Sequence, residues 1–222
     1  MIQKSNLHIL NGQEMYNHFQ QINFLNQQLM VPFNEAMCCG ETCNTIFSSE
    51  FNKIRAKVHQ VTPAQYNDIT LKPLQPLFCK NFTHLSLWFD TDMFCQINLL
   101  TILAWLDQNK YHDSIDLKLI GDNYKPESSF TLRAEGYYSL YKHVLIEKFI
   151  PENIELQPLK KGIELYLNYL TKDSKLILYI QKHKEVPERK LVAALLKEFK
   201  DDYGLGDTQY FEIVRALRQN SN

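Results

Sequence analysis

The chain has 222 residues, 45% of them hydrophobic, which is enough for one large domain or for a domain with a small companion. Its 24 Lys and Arg residues nearly balance 25 Asp and Glu residues, giving a formal charge of −1. This balance argues against a broad surface for nucleic acid or for an anionic membrane, because both need clustered positive charge.

Two features of the sequence argue against a secreted or membrane-spanning protein. The first ten residues, "MIQKSNLHIL", lack the apolar core and small-residue cleavage site of a signal peptide. The longest apolar run, at 97–106, is interrupted by Asn98 and Thr101 and is too short to span a bilayer. We therefore expect a cytoplasmic protein without a membrane partner.

The first half of the chain alternates short apolar runs with amphipathic segments. Strands are predicted at "LHIL" (7–10), "QLMVPF" (28–33), "HLSLWF" (84–89) and "SIDLKLIG" (114–121). Helices are predicted between them at 13–22, at 48–58 with Ser49 as N-cap, from Pro63 onward, and at 92–108. Such alternation predicts parallel pairing with right-handed crossovers, and the simplest strand order is 2-1-3-4.

Two of these segments carry a further expectation. In the fourth strand, Asp116 and Lys118 alternate with apolar residues, which favours an edge strand. The helix within "LWFDTDMFCQINLLTILAWL" (87–106) is apolar nearly all round, which indicates burial on several sides.

After Gly121 the composition changes. "DNYKPESS" (122–129) is typical of a loop or linker, and "YYSLYKHVLIEKF" (137–149) of a helix. From Pro158 only helical patterns follow, at 159–170, 174–183, 188–199 and 208–218, the last with Asp207 as N-cap. We therefore predict an α/β fold with a small, mainly parallel sheet flanked by helices. The predicted units are an α/β domain at 1–122, a connecting segment at 123–157 and a helical domain at 158–222.

The strand ends supply the candidate functional residues. In an open parallel sheet, ligands bind where the carboxyl ends of the strands meet. The predicted ligand-binding residues lie at or near those ends: Asn11, Gly12, Asn34, Arg55, Asp92 and Gln96. The candidate catalytic residues are Glu35 or Asp90 as the general base and His8 as a proton partner.

Structural alternatives stay open for most of these residues. An Asp at a helix start is typically a cap, and Asn-Gly is typical of a turn. A histidine within a strand is more often a packed, hydrogen-bonded residue, and an arginine on a helix face is most often solvated. Glu35 follows an apolar strand and has no evident capping role.

No sequence motif identifies a cofactor. The glycine-rich dinucleotide and P-loop motifs, H-E-x-x-H and G-x-S-x-G do not occur. Five cysteines (38, 39, 43, 79 and 95) in a cytosolic chain are typical of free thiols, and "CCGETC" lacks the C-x2-C spacing of a metal site. Grouped carboxylates could still hold a divalent ion through waters, although no spacing requires one.

Several segments resemble an uncharacterised bacterial family, the domain of unknown function 1835, with its companion C-terminal helical domain. They are "LHILNG", "VPFNEAMCCGE", "EFNKIRAKV", "LSLWFDTDMFCQINLLTILAWL" and "YGLGDTQYFEIVRAL". By position the family motifs correspond to His8, Asn11, Gly12, Asn34, Glu35, Gly40, Trp88, Asp90, Asp92, Gln96, Gly206 and Asp207. The chain departs from the family at Gln13, where an Asp is usual, and the resemblance implies no established activity.

Three functions are compatible with this sequence. The first is a regulatory protein that binds a small polar ligand at the strand edge and passes its state to the helical tail. The second is a hydrolase or transferase acting on a small polar or nucleotide-like substrate. The third is a DNA-binding transcription regulator with a helix-turn-helix near the C-terminus, although acidic residues offset the basic ones there.

Overall fold

A computed structural model describes residues 5–25, 28–121 and 124–219. The strands are β1 (Ser5–Leu10), β2 (Leu29–Pro32), β3 (Phe82–Asp90), β4 (Ile115–Ile120) and β5 (Pro126–Leu132). The helices of the first half are α1 (Gln13–Gln21), α2 (Ser49–Val58), α3 (Pro63–Tyr66), α4 (Gln75–Phe78) and α5 (Met93–Gln108). Those of the second half are α6 (Tyr137–Tyr141), α7 (Gln157–Tyr169), α8 (Lys175–Lys182), α9 (Glu188–Glu198), α10 (Lys200–Tyr203) and α11 (Asp207–Gln219). Helices α3 and α6 each continue into a π-helical turn, at Asn67–Leu71 and Lys142–Ile146.

The sheet confirms the predicted fold class and order. Its strands lie in the order β2-β1-β3-β4-β5, and the first four are parallel. Strand β1 lies between β2 and β3, with His8 opposite Met30 on one side and Ser86 on the other. The chain leaves β1 towards β2 but leaves β3 towards β4, so a topological switch point lies between β1 and β3.

The prediction that β4 is an edge strand was wrong. Strand β5 pairs with it in antiparallel fashion and takes the edge position. Asp116 and Lys118 alternate with buried residues because they lie on a partly solvated face of the sheet, and not because β4 lacks a neighbour. Most of β5 was assigned to a loop because of its Pro and Ser content, and its residues are mostly exposed. Residues 122 and 123 of that predicted loop, and 1–4 of the segment examined for a signal peptide, lie outside the described residues.

Helix α5 is the centre of the core, as its apolar circumference predicted. Thirteen of its residues are buried, from Met93 to Leu106 with Phe94 as the exception in that span. It packs against β3 on one side and against α6 and α7 on others. The buried apolar residues of α5 belong to one hydrophobic cluster, whose members extend from Leu7 in β1 to Val214 in α11. The second face of the sheet is covered in part by α1, where Leu10, Phe19 and Trp88 pack together.

The C-terminal half is helical, as predicted, and its helices share the core of α5. Two predicted caps differ by one residue from those observed. Helix α2 is capped by Ser48, whose side chain accepts a hydrogen bond from the Phe51 amide, because the helix already includes Ser49. Helix α11 begins at Asp207, which makes this residue helical and not the predicted cap.

Candidate functional site

The loops after β1 and β2 meet at a single buried amide on α5. Asn98 is fully buried, and its Nδ2 donates to Asn11 Oδ1 at 3.0 Å and to the Glu35 carbonyl at 2.7 Å. Its Oδ1 accepts from the Met37 amide at 3.0 Å. Sequence reasoning missed Asn98, although a buried amide within an apolar helix must find partners. The expected convergence of the first two strand ends is therefore present.

The third strand end joins the same region. The Asp90 carbonyl accepts a hydrogen bond from Gln96 Nε2 at 2.6 Å. Asp92 caps α5 through Oδ1, which accepts from the Cys95 amide at 2.8 Å. The Asn11 Nδ2 donates to Cys95 Sγ at 2.7 Å, so the end of β1 contacts the start of α5 directly. We call the residues at this edge the rim: Asn11, Gly12, Gln13, Asn34, Asp90 and Thr91.

The rim also contains the start of α1. Gly12 precedes the helix with a φ of 94°, and no side chain caps the first amides of α1. Asn34 Nδ2 donates to Gln13 Oε1 and to the Ile69 carbonyl, both at 3.2 Å. Gln13, the position where the chain departs from the resembled family, is therefore hydrogen-bonded to Asn34, another residue of the rim. Amides left without a partner at a helix start, aligned with the helix dipole, favour a bound anion.

Glu35 lies beside the rim but is not open to it. Its Oε1 accepts from Arg55 Nη2 at 2.8 Å, His59 Nε2 at 2.6 Å and the Ala36 amide at 2.8 Å. Its Oε2 accepts from the Tyr66 hydroxyl. The side chains of Glu35 and Arg55 are both fully buried. The Glu35 carboxylate is thus saturated by partners that sequence reasoning did not identify.

The electrostatics keep Glu35 ionised. Burial by itself raises the pKa of Glu35, but the His59 hydrogen bond and the Arg55 charge outweigh it and lower the pKa to about 2. A buried carboxylate with so low a pKa, held by four hydrogen bonds, is unsuited to take a proton from a substrate. The geometry therefore gives no support to the predicted role of Glu35 as a general base.

Arg55 organises the chain between β2 and α2. Its Nη1 donates to the carbonyls of Cys39 and Glu41 at 2.6 and 2.9 Å, and its Nη2 also reaches the Ala36 carbonyl at 2.9 Å. The guanidinium is enclosed by this segment, which we call the Arg55 segment (residues 33–48). Arg55 was expected to reach an anion at the sheet edge, but the structure directs its charge to Glu35 and to backbone carbonyls.

His8 lies on the other face of the sheet, with Leu10 and Trp88. Its Nδ1 accepts a hydrogen bond from Trp88 Nε1 at 3.0 Å, and its Nε2 donates to the Gln28 side chain. Burial lowers the pKa of His8, which favours this neutral tautomer. His8 therefore does not meet Glu35, and the predicted catalytic group of His8, Glu35 and Asp90 is not assembled in one pocket.

The C-terminal helices cover the start of α5. A Cβ placed on Gly204, in the turn between α10 and α11, would lie 2.2 Å from Oδ1 of Asp92. A Cβ on Gly162 in α7 would lie 2.5 Å from Cβ of Gln96. Only glycine permits these two approaches, so the predicted ligand residues Asp92 and Gln96 contact the helical unit and are buried beneath it.

The junction between the start of α5 and the C-terminal helices buries a carboxyl group and two polar atoms that lack hydrogen-bond partners in the described part of the chain. Burial raises the pKa of Asp92 to about 6, with backbone and side-chain hydrogen bonds from Cys95 opposing the effect and Asp90 adding to it. Gln96 Oε1 and the Tyr210 hydroxyl are buried without a hydrogen-bond partner among the described residues. Unsatisfied buried polar atoms cost about 1–3 kcal/mol each, so this packing is less stable than a fully satisfied one.

A comparison of the chain with models of known protein families, with curated proteins and with solved structures finds no match. The resemblance to the domain of unknown function 1835 therefore stays a prediction. Among the described residues, no group of His, Cys, Asp and Glu side chains has the arrangement of a metal site. No helix in that part of the chain is long and apolar enough to cross a membrane.

Proposed function

We propose that the protein is a regulatory protein that binds a small polar ligand at the rim and signals occupancy through its C-terminal helices. The observation that carries this proposal is the double contact of α5. The start of this helix contacts the rim through Cys95 and Gln96, and it contacts the C-terminal helices through Asp92 and Gln96. A change at one surface is therefore transmitted by a single rigid element to the other.

The rim favours a ligand that carries both an anionic group and hydroxyl groups. The uncapped start of α1 provides amide donors and a positive dipole end for the anion. The half-buried Asp90 carboxylate provides an acceptor for hydroxyls, and the Gln13 and Asn34 side chains, which are hydrogen-bonded to each other, line the same rim. Because β1 and β3 flank the switch point, such a ligand would lie in the crevice that open sheets use for binding.

The unsatisfied groups at the helical junction support a switch. Gln96 Oε1 and the Tyr210 hydroxyl have no hydrogen-bond partner in the observed packing of the described residues, so a second arrangement that satisfied them would regain about 1–3 kcal/mol for each group. A ligand with different affinities for the two arrangements would shift their populations. The regulatory role follows from this combination of a rim and a poorly satisfied junction on one helix.

The other two functions receive less support from the geometry. The enzymatic function had Glu35 or Asp90 as its base, and the first of these is enclosed by Arg55, His59 and Tyr66. DNA binding required free basic residues near α11. Arg215 instead pairs with Glu188 at 2.9 Å, and Arg218 donates to the Lys184 and Val186 carbonyls.

The proposal is tested by thermal shift with inorganic phosphate, ribose 5-phosphate and AMP, each against its neutral counterpart ribose or adenosine. A ligand at one hundred times its Kd adds about 2.7 kcal/mol to the free energy of unfolding. For a chain of this size that stabilisation raises the Tm by roughly 5–10 °C. A panel in which no phosphate compound raises the Tm would reject a site for anionic ligands at the rim.

Variants then locate the site. Asp90→Asn is expected to weaken binding of ribose 5-phosphate more than binding of inorganic phosphate, because the proposed partners of the carboxylate are the sugar hydroxyls, which inorganic phosphate lacks. Asp173→Asn removes the same charge at an exposed position outside the rim and is the matched control. Hydrogen exchange at residues 203–207 should change with ribose 5-phosphate. Binding without any change there would retain the ligand site and refute the regulatory part.

A further inference from the structure

Two adjacent cysteines of the Arg55 segment have a geometry that the proposed ligand site does not use. The sulfur atoms of Cys38 and Cys39 lie 3.8 Å apart. The other thiols are engaged differently: Cys43 contacts the Thr45 carbonyl, Cys95 accepts from Asn11, and Cys79 is exposed. All five cysteines are free thiols in this structure.

The two thiols differ in access and in acidity. Cys39 is partly exposed, whereas Cys38 is 1% exposed. A hydrogen bond from Cys38 lowers the pKa of Cys39; burial opposes this effect and the Arg55 charge adds to it. The same contact and burial raise the pKa of Cys38. Since the thiolate is the reactive form, Cys39 is the thiol that attacks an oxidant and Cys38 is the one that remains protonated beside it.

We propose that Cys38 and Cys39 form a redox-sensitive dithiol that hydrogen peroxide converts reversibly into a disulfide between adjacent residues. The Cys39 thiolate attacks one peroxide oxygen, the O–O bond breaks, and the hydroxide released takes up a proton to leave as water. The Cys38 sulfur then attacks the resulting sulfenic acid, the S–S bond forms, and a second water leaves with the Cys38 proton. The protein loses two protons and two electrons, which together are two hydrogen atoms, and one peroxide is reduced to two waters.

Adjacency makes this disulfide suited to a reversible switch. Consecutive Cα atoms across a trans peptide are about 3.8 Å apart, below the roughly 4.4–6.8 Å usual for cystine. The bond is therefore strained, and strained disulfides are the more easily reduced ones. Closing it also reorients the Cys38–Cys39 peptide, which directly precedes the Cys39 carbonyl that accepts from Arg55 at 2.6 Å. Oxidation thus weakens the hold of Arg55 on its segment, next to the rim.

The experiment uses the full chain with Cys79→Ser, which removes the exposed thiol and with it cross-linking between molecules. After peroxide treatment and blocking of free thiols, digestion after glutamate releases residues 36–41, "AMCCGE", which contain Cys38 and Cys39 but not Cys43. The expected peptide is unblocked and lacks two hydrogen atoms. Treatment with dithiothreitol before blocking should restore two blockable thiols.

Two variants in the same background separate the roles. In Cys38→Ala the sulfenic acid at Cys39 has no resolving thiol, so it should accumulate and be trapped by dimedone. Cys43→Ala is the control and should oxidise like its parent. The proposal is overturned if the parent pairs Cys39 with Cys43, if it accumulates sulfinic acid at Cys39 with Cys38 still free, or if the 36–41 peptide stays fully reduced. If Cys38→Ala does not fold, the oxidation state of the 36–41 peptide from the Cys79→Ser chain decides the test by itself.

Discussion

Neutralising Glu35 should destabilise the fold by an amount that depends on pH in a specific way. Glu35→Gln keeps the size of the side chain but leaves the Arg55 guanidinium buried without its counter-ion. Removing one partner of a buried ion pair costs about 3–5 kcal/mol. We therefore expect a loss of this order in the free energy of unfolding at pH 7.

The pKa of Glu35 gives a second, separate route to the same quantity. The folded pKa of about 2 lies below the unfolded value of 4.5, and each pKa unit corresponds to about 1.4 kcal/mol, so ionisation contributes about 3 kcal/mol. Because the folded pKa is lowered, this stability is fully present above about pH 5 and is lost as the pH falls towards 2. The two routes give losses of similar magnitude, and the dependence on pH is the part that tests the charge of Glu35.

The assay is urea denaturation of the natural chain and of Glu35→Gln at intervals between pH 7 and the lowest pH at which the natural chain stays folded. The difference between them should be constant above pH 5 and shrink below it, since both side chains become neutral in acid. Glu41→Gln is the matched control, because its exposed side chain lies on the same segment and only its carbonyl contacts Arg55. A difference under about 1 kcal/mol at pH 7, or one that does not change with pH, would refute the reasoning.

Three further predictions concern α5 and its neighbours. Gly204→Ala should lower the free energy of unfolding by about 2 kcal/mol or more in urea denaturation, because Gly204 has a φ of 61° and lies against the Asp92 carboxylate. Gly206→Ala should lower it by less than about 1 kcal/mol, because a Cβ there meets only the end of a flexible glutamine. Asp92→Asn should gain stability relative to the natural chain as the pH rises from 4 to above 6, because burial raises the folded pKa of Asp92 and ionisation then opposes folding; equal pH profiles would contradict this. Asn98→Ala should cost about 3 kcal/mol by urea denaturation, because the Met37 amide and two acceptors lose their partner, and a loss below 1 would exclude Asn98 as the tie between the loops.

Local signals made part of the fold predictable. The cap at Asp92 is such a case, since an acidic residue before an apolar helix needs only its own next turn to be satisfied. The strand order followed from the alternation of strands and helices and from the handedness of crossovers. Strand β5 could not be predicted in this way, because its sequence is polar and its pairing with β4 is set by tertiary contact.

The site was less predictable because its decisive contacts join distant parts of the chain. Glu35 was singled out because it had no evident capping role, but its partners Arg55, His59 and Tyr66 lie in α2, directly after α2 and in α3, 20 to 31 residues further along the chain. Asn98 was treated as an interruption of an apolar run. A buried amide there has meaning only once the loops bearing Asn11 and Glu35 are placed beside it.

The polar residues of α5 explain how an almost wholly apolar helix can serve a site. Each is directed to a different neighbour: Asn98 to the loops after β1 and β2, Gln96 to the end of β3, and Asp92 to its own first turn beneath the α10–α11 turn. The apolar remainder fixes the helix rigidly in the core, so a displacement of one polar group cannot be absorbed by rotation of the helix alone. The coupling that we propose between a ligand at the rim and the C-terminal helices therefore rests on the packing of α5.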